Sequence, residues 1–195
     1  GTFCVVRGLR LEFESGAGED ETLALTTWLG EARRVRGFRE VSLVAQSDGR
    51  RIAGAQLDWV YVSADTLQPT RMPQEMVDRL SPEADHVCRL TWAAGSASGE
   101  AGVMLRAPQH HELDQLRHLN SAVYVEWFEQ AWCERSGRVP ADLRGHRLEF
   151  LKQITLGEPM RVTTQPAGDG VWAQEIRHAE TGELHARNTA LSSAA

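Results

Sequence analysis

The sequence predicts an α+β fold in which two related antiparallel β-units accompany one long buried helix. Three observations predict it: a segment that repeats within the chain, apolar–polar alternation in both copies, and one uninterrupted helical pattern. The chain has 195 residues, of which 42% are hydrophobic, so it can bury a substantial core. Its net charge of −6 and scattered basic residues argue against a nucleic-acid partner. No apolar run is long enough to predict a membrane span, and no signal peptide is evident.

The repeat is the string Arg-Leu-Glu-Phe, which occupies residues 10–13 and again residues 147–150, an offset of 137 (147 minus 10). Further identities occur at the same offset: Glu21 matches Glu158, and Thr26-Thr27 matches Thr163-Thr164. A register held without a gap from residue 10 to residue 27 predicts a duplicated structural unit.

Both copies show the period-two alternation of half-buried strands. In the first copy Leu9, Leu11 and Phe13 alternate with charged neighbours. Further strands are predicted over residues 23–27, 38–46 and 51–62, and in the second copy over residues 160–165, 171–178 and 184–191. The strings Ser47-Asp48-Gly49 and Glu180-Thr181-Gly182 predict the hairpin turns, because glycine accepts positive φ.

Residues 64–85 contain three prolines and are predicted to link the two units, with a short helix over residues 73–80. Residues 87–92 and 103–107 are predicted to be the next strands. The predicted organisation is a first unit over residues 1–63, the linker, and a second unit over residues 86–195.

Residues 121–136 form the strongest helical pattern, since they contain neither glycine nor proline. Asn120 or Ser121 can cap the start of this helix, and Gly137 can end it. Its apolar residues cover most of the circumference, which predicts a helix buried against a sheet.

The segment before this helix holds the candidate chemistry. Asp114, His118 and Asn120 precede the helix N-terminus, where backbone N–H groups and the helix dipole favour negative charge. Such an end can hold a polarised ester or thioester carbonyl while a carboxylate acts as base or nucleophile. A purely structural interpretation makes Asp114 and Asn120 loop and cap residues. A third interpretation joins His110, His111, Asp114 and His118 in a metal site.

Residues 114–127 resemble the D-x-x-x-H-x-N-x-x-x-Y-x-x-W signature of hotdog-fold thioesterases, in particular the double-hotdog acyl-ACP thioesterases. The likeness spans most of the chain. It continues through these strings: Thr26-Thr27-Trp28, Arg36-Gly37-Phe38-Arg39, Asp58-Trp59-Val60, Arg71-Met72-Pro73, Leu148-Glu149-Phe150 and Leu156-Gly157-Glu158.

The resemblance implies a double hotdog, with antiparallel sheets each wrapped around a long central helix. It implies hydrolysis of an acyl-ACP or acyl-CoA thioester in fatty acid or polyketide biosynthesis, without metal or cofactor. Asp114 would be the base or nucleophile, and His118 and Asn120 would position water and carbonyl. Amides near residues 120–122 would be the oxyanion donors. The expected substrate-binding residues are Ser121, Ala122, Tyr124 and Gln153.

Two positions depart from the plant-type pattern, which has a catalytic asparagine where this chain has Leu116 and an acid where it has Gln153. They motivate one alternative, a protein that binds acyl thioesters or carrier protein without hydrolysis. A further alternative is another hotdog chemistry, the dehydration of a 3-hydroxyacyl thioester with His118 as base.

Other residues add weaker expectations. Arg33, Arg34 and Arg36 either contact a phosphopantetheine phosphate or an acidic carrier protein, or form a solvated hairpin turn. Three cysteines without a C-x-x-C spacing predict a reducing, cytoplasmic location, and Cys133 is expected to pack as a small hydrophobe.

The repeat also carries an expectation about the first unit. Counted from Asp85, 62 residues precede Arg147 (147 minus 85), whereas nine residues precede Arg10. By the logic of repeats, about 50 residues with a first central helix are expected to precede Gly1, or another chain supplies that helix. A homodimer is therefore among the expected partners, along with acyl-CoA or acyl carrier protein.

Overall fold

Antiparallel strands make up most of both units of the computed structural model, which describes residues 1–80, 83 and 85–193. Unit 1 is Gly1–Thr91 and unit 2 is Trp92–Ala195. Unit 1 contains β1 (Thr2–Phe13), β2 (Leu23–Arg33), β3 (Arg36–Ala45), β4 (Arg51–Ser63) and helix α1 (Gln74–Leu80). Unit 2 contains β5 (Gly102–Arg106), helix α2 (Ser121–Ser136), β6 (Leu143–Phe150), β7 (Met160–Gly168), β8 (Val171–His178) and β9 (Leu184–Ser192).

The two sheets share one strand order. In unit 1 the order is β2-β3-β4-β1, and in unit 2 it is β7-β8-β9-β6 with β5 added beside β7. The repeated Arg-Leu-Glu-Phe string lies at the end of β1 and at the end of β6. Leu11 pairs with Ala55 of β4, and Leu148 pairs with Asn188 of β9. The sequence repeat therefore marks the same strand in two sheets of equal order.

Helix α2 has the bounds that its sequence predicts, because the cap residues act as expected. The Asn120 side chain accepts a hydrogen bond from the Ala122 backbone N–H, and Gly137 ends the helix at φ +70°. The helix packs against β5 and β7. Its buried residues are Tyr124, Trp127, Phe128, Ala131 and Trp132. The expectation of burial nearly all round is too strong, since Glu126 and Gln130 are exposed.

A buried polar network also joins α2 to its sheet. Gln174 donates through Nε2 to the Phe128 carbonyl (2.7 Å) and to Thr164 Oγ1 (2.9 Å). Asn188 donates to Gln174 Oε1 (2.8 Å) and to His146 Nδ1 (3.0 Å). All four side chains are at most 3% exposed, so these bonds form away from water. They hold the middle of α2 at one position on the strands.

The network also sets the hydrogen-bonding role of His146. Since Asn188 Nδ2 can only donate, Nδ1 of His146 accepts in this contact, and Nε2 is the ring's other nitrogen. That nitrogen lies 3.3 Å from Glu129 Oε1 on α2.

The predicted strand over residues 87–92 is wrong, and the reason is a pair of buried acids. Carboxylates rather than a neighbouring strand take the N–H groups of Val87, Arg89 and Leu90. Glu12 accepts from the N–H groups of Arg89 (2.7 Å) and Leu90 (2.9 Å), and Glu40 accepts from that of Val87 (3.1 Å).

Smaller differences concern the other elements. The strand predicted over residues 103–107 spans Gly102–Arg106, and the helix predicted over 73–80 begins at Gln74. The described residues of unit 1 contain no counterpart of α2. Within the described part of the chain, no helix has the length and apolar character needed to cross a bilayer.

Candidate functional site

The loop before α2 folds back on itself and brings the backbones of Asp114 and His118 together. Leu113 and Leu119 form an isolated antiparallel bridge at its base. Inside it, the Asp114 N–H donates to the His118 carbonyl (2.8 Å), and the Arg117 N–H donates to the Asp114 carbonyl (3.0 Å). The turn closes because Arg117 adopts φ +62°, a conformation uncommon for a residue with a side chain. Two of the sequence-predicted catalytic residues therefore share one tight turn.

The Asp114 carboxylate is held at one oxygen and open at the other. Its Oδ1 accepts from the N–H groups of Leu116 (2.8 Å) and His118 (3.1 Å). Its Oδ2 makes no hydrogen bond with any residue that the structure describes, and the side chain is exposed. A carboxylate fixed in this way can present one oxygen to water or to an electrophile.

The segment after β6 lies directly against this turn. His118, which is half-buried, forms a bridge with Thr155, and the Leu119 N–H donates to the Ile154 carbonyl (2.8 Å). Glu158 closes the segment by accepting from the Thr155 N–H (2.6 Å). The turn and the segment together form one wall, which includes an acid that the sequence reasoning did not select as a site residue. Its signal was present in the repeat and in the string Leu156-Gly157-Glu158.

Tyr124 is buried between α2 and the same segment. Burial is the main cause that raises the pKa of its hydroxyl. A backbone hydrogen bond at Ile154 opposes the shift, while the charges of Glu158 and Asp114 add to it. The ring meets Phe150 edge to face, with centroids 5.1 Å apart. Tyr124 therefore stays protonated at neutral pH.

The N-terminus of α2 offers fewer free amides than the sequence predicts. The Asn120 N–H donates to the Glu112 carbonyl (2.9 Å), and the Ala122 N–H donates to Asn120 Oδ1 (3.0 Å). The Val123 N–H donates to the Asn120 carbonyl (2.9 Å). Among the described residues, no acceptor engages the N–H of Ser121, which is therefore the amide available to a ligand. The side chains of Ser121 and Ala122 are exposed.

Glu112 supports the turn from inside the protein, and sequence reasoning missed it. This 5%-exposed carboxylate accepts from Arg106 Nη2 (2.9 Å), the Gln109 N–H (2.7 Å) and Trp127 Nε1 (3.1 Å). Burial opposes ionisation, but these hydrogen bonds and the Arg106 charge lower the pKa of Glu112. The available signal was the capping-box spacing from Gln109 to Glu112.

Gln153 takes part through its backbone. Its carbonyl accepts from Nδ1 of His185 (3.0 Å), while its exposed side chain makes no hydrogen bond with a described residue. His185 is 1% exposed, and burial lowers its pKa, so the ring is neutral at pH 7. The His185 carbonyl also accepts from the N–H groups of Leu151 (2.8 Å) and Lys152 (3.0 Å). His185 thus anchors the start of the segment that lies against His118.

The structure does not bring together the residues of the possible metal site. His110 and His111 lie in a single turn of 3₁₀ helix, His110–Glu112, and both are exposed. Over residues 1–80, 83 and 85–193, no three side chains of histidine, cysteine, aspartate or glutamate converge as a metal site would require.

Comparison with known proteins identifies the fold. No protein-family model and no curated protein matches the sequence. An acyl-ACP thioesterase structure from Bacteroides thetaiotaomicron superposes with a TM-score of 0.81 at 16% identity, over 97% of this chain and 76% of that one. The 12:0-ACP thioesterase from Umbellularia californica superposes with a TM-score of 0.77 at 16% identity, over 100% of this chain and 76% of that one.

A second enzyme class has a similar structure. A MaoC-like dehydratase from Phytophthora capsici superposes with a TM-score of 0.67 at 10% identity, over 98% of this chain and 72% of that one. The chain therefore has a mostly antiparallel fold with few helices, as expected for a hotdog protein. The resemblance to acyl-ACP thioesterases is confirmed as a resemblance of fold.

Proposed function

We propose that the chain hydrolyses acyl thioesters, carried on CoA or on an acyl carrier protein, at the turn that precedes α2. The observation that carries this proposal is the half-engaged carboxylate of Asp114, with Oδ1 fixed by two N–H groups and Oδ2 open. The thioesterases among the superposed structures support the same class of reaction.

In this mechanism Asp114 is the reacting group. Its Oδ2 either takes a proton from the attacking water or attacks the thioester carbon itself. The Ser121 N–H and the positive end of α2 stabilise the charge that develops on the carbonyl oxygen. The carbon–sulfur bond breaks, and the thiolate leaves and takes up a proton. If Asp114 is the nucleophile, water then hydrolyses the acyl–Asp114 anhydride and restores the carboxylate; if Asp114 is the base, water attacks the thioester directly and supplies the oxygen of the acid product. His118 orients the water or the carbonyl.

The remaining residues position these groups. Asn120 caps α2 and so fixes the direction of the Ser121 N–H. Tyr124 and Glu158 form the wall beneath the turn, and Gln153 extends it through its main chain. Both units are hotdog units in this proposal, because their strand orders agree.

A second candidate function is dehydration of a 3-hydroxyacyl thioester, which the MaoC-like dehydratase structure favours. Here His118 would remove the proton next to the carbonyl, and the hydroxyl would leave as water.

The deciding experiment gives the protein matched saturated and 3-hydroxyacyl thioesters of CoA and of an acyl carrier protein. Release of free thiol from the saturated substrates supports hydrolysis. Loss of water from the 3-hydroxyacyl substrates without thiol release supports dehydration. If the protein binds the carrier-linked substrate but neither reaction exceeds the background rate, both catalytic proposals fail and the non-hydrolytic binding protein replaces them.

A further inference from the structure

The arginines at the tip of the β2–β3 hairpin divide into paired and unpaired side chains. Arg33 forms an ion pair with Glu31, and Arg36 forms one with Asp58. Arg34 lies between them in sequence and makes no side-chain hydrogen bond or ion pair with a residue that the structure describes. The acids beside the hairpin tip are thereby neutralised, while one guanidinium stays available.

A second unpaired arginine lies beside the first. The Met72 N–H donates to the Arg34 carbonyl (2.8 Å), which brings residues 71 and 72 to the hairpin tip. The exposed Arg71 side chain likewise has no partner among the described residues. Both arginines line a groove of about 180 Å³. The rest of its lining is Ala32, Met72, Gln74 and Val77, and Gln74 donates to Asp78 (2.8 Å).

The backbone of Arg34 adopts an uncommon conformation. Arg34 adopts φ +48°, in the left-handed region where glycine is the residue without steric cost. Glycine would adopt this conformation without the strain. Two guanidinium groups with no internal partner also repel each other unless an anion lies between them.

We propose that the groove between Arg34 and Arg71 binds a phosphate group, such as the one that phosphopantetheine carries. Guanidinium forks match phosphate oxygens in a bidentate geometry, and two of them supply enough positive charge for the singly charged phosphodiester of a carrier-bound arm or the doubly charged monoester of free phosphopantetheine. The phosphate belongs either to the pantetheine arm or to the nucleotide of CoA. This choice of ligand rests on the proposed thioester substrate, whereas the anion site rests on the two arginines.

Calorimetric titration of the whole chain with phosphopantetheine, CoA and phosphate-free pantetheine tests the proposal. We expect the phosphate-bearing ligands to bind and pantetheine to bind at least about tenfold more weakly. Binding of both phosphopantetheine and CoA assigns the pantetheine phosphate, and binding of CoA alone assigns the nucleotide phosphate. Equal binding of all three ligands, or no binding of any, would overturn the proposal.

Variants separate binding from folding. Arg34→Gly is expected to weaken phosphopantetheine or CoA about tenfold while its urea midpoint stays unchanged or rises, because glycine accepts the turn conformation. Arg71→Gln should weaken binding similarly. Arg33→Gln removes the same charge from the paired neighbour and should bind as the wild type does. Unchanged affinity in the first two variants, or an equal loss in all three, contradicts a site built by Arg34 and Arg71.

A substrate without phosphate distinguishes a loss of phosphate binding from a loss of the proposed reaction. The acyl thioester of N-acetylcysteamine should be turned over by Arg34→Gly at the wild-type rate. If the wild-type protein hydrolyses no thioester, the proposed function fails, yet the titration still decides whether the groove binds phosphate.

Discussion

The backbone nitrogen of His118 lies 3.1 Å from Oδ1 of Asp114, so the Asp114 carboxylate binds the main chain of His118 and not its imidazole. The contact belongs to a turn that Leu113 and Leu119 close. The orientation of the Asp114 carboxylate therefore does not depend on the imidazole of His118. Substitution at His118 and substitution at Asp114 thus report on different parts of the proposed reaction.

Asn120→Ala should lower both stability and turnover. The change removes the acceptor for the Ala122 N–H, at a cost of about 1 kcal/mol in the free energy of unfolding. The start of α2 then frays, and the Ser121 N–H loses its fixed direction. Urea unfolding and kcat for thiol release are the measurements. Asn120→Asp keeps the acceptor and should keep the stability, so equal destabilisation by both substitutions would show that the cap is not the cause.

Gln174→Ala should destabilise unit 2 strongly because three buried hydrogen bonds end at this side chain. The Phe128 carbonyl and Thr164 lose a donor, and Asn188 loses an acceptor. We expect a loss of about 2–4 kcal/mol in the free energy of unfolding, measured with urea. The control is Gln165→Ala, which removes one long, exposed hydrogen bond to Gly99 and should cost less than about 1 kcal/mol. Equal losses would mean that the network does not hold α2.

Glu112 should make stability depend on pH in the acid range. Its pKa in the folded protein lies below the ordinary 4.5, so the stabilisation is present above pH 4.5 and is lost as the pH falls through the lowered value. Glu112→Gln should cost about 1–3 kcal/mol at pH 7, since it removes the charge that Arg106 and Trp127 bind. The measurement is the free energy of unfolding of both proteins from pH 7 down to pH 3. The difference should shrink in acid, and a constant difference would rule out an ionised Glu112.

The structural elements that could be predicted are those specified by signals within their own segment of the sequence. Asn120, the absence of glycine and proline, and Gly137 specify α2 within its own segment, and alternation specifies the strands. Asp114 and His118 are four residues apart in one turn, so their proximity is also local. The hydrogen bonding of Val87 and Leu90 could not be predicted, because their partners are Glu40 and Glu12, 47 and 78 residues away.

The same distinction applies to the site. Glu112 accepts a hydrogen bond from Trp127 on the next helix. Glu158 belongs to the segment that follows β6 in sequence and contacts His118 through Thr155. A carboxylate in such a position is indistinguishable in sequence from a solvated surface acid. The ion pair of Arg36 with Asp58 likewise depends on the register of β3 and β4, whereas Arg33 pairs locally with Glu31.

The turnover of Asp114→Asn tests the central claim most directly. Asparagine keeps Oδ1 as an acceptor for the N–H groups of Leu116 and His118, so the turn and the melting temperature should be preserved. The substitution removes the basic oxygen, and thiol release from the best acyl thioester should fall by about 100-fold or more. Asp169→Asn, an exposed acid in the β7–β8 turn, should behave as the wild type does. Full turnover by a folded Asp114→Asn protein would contradict the account.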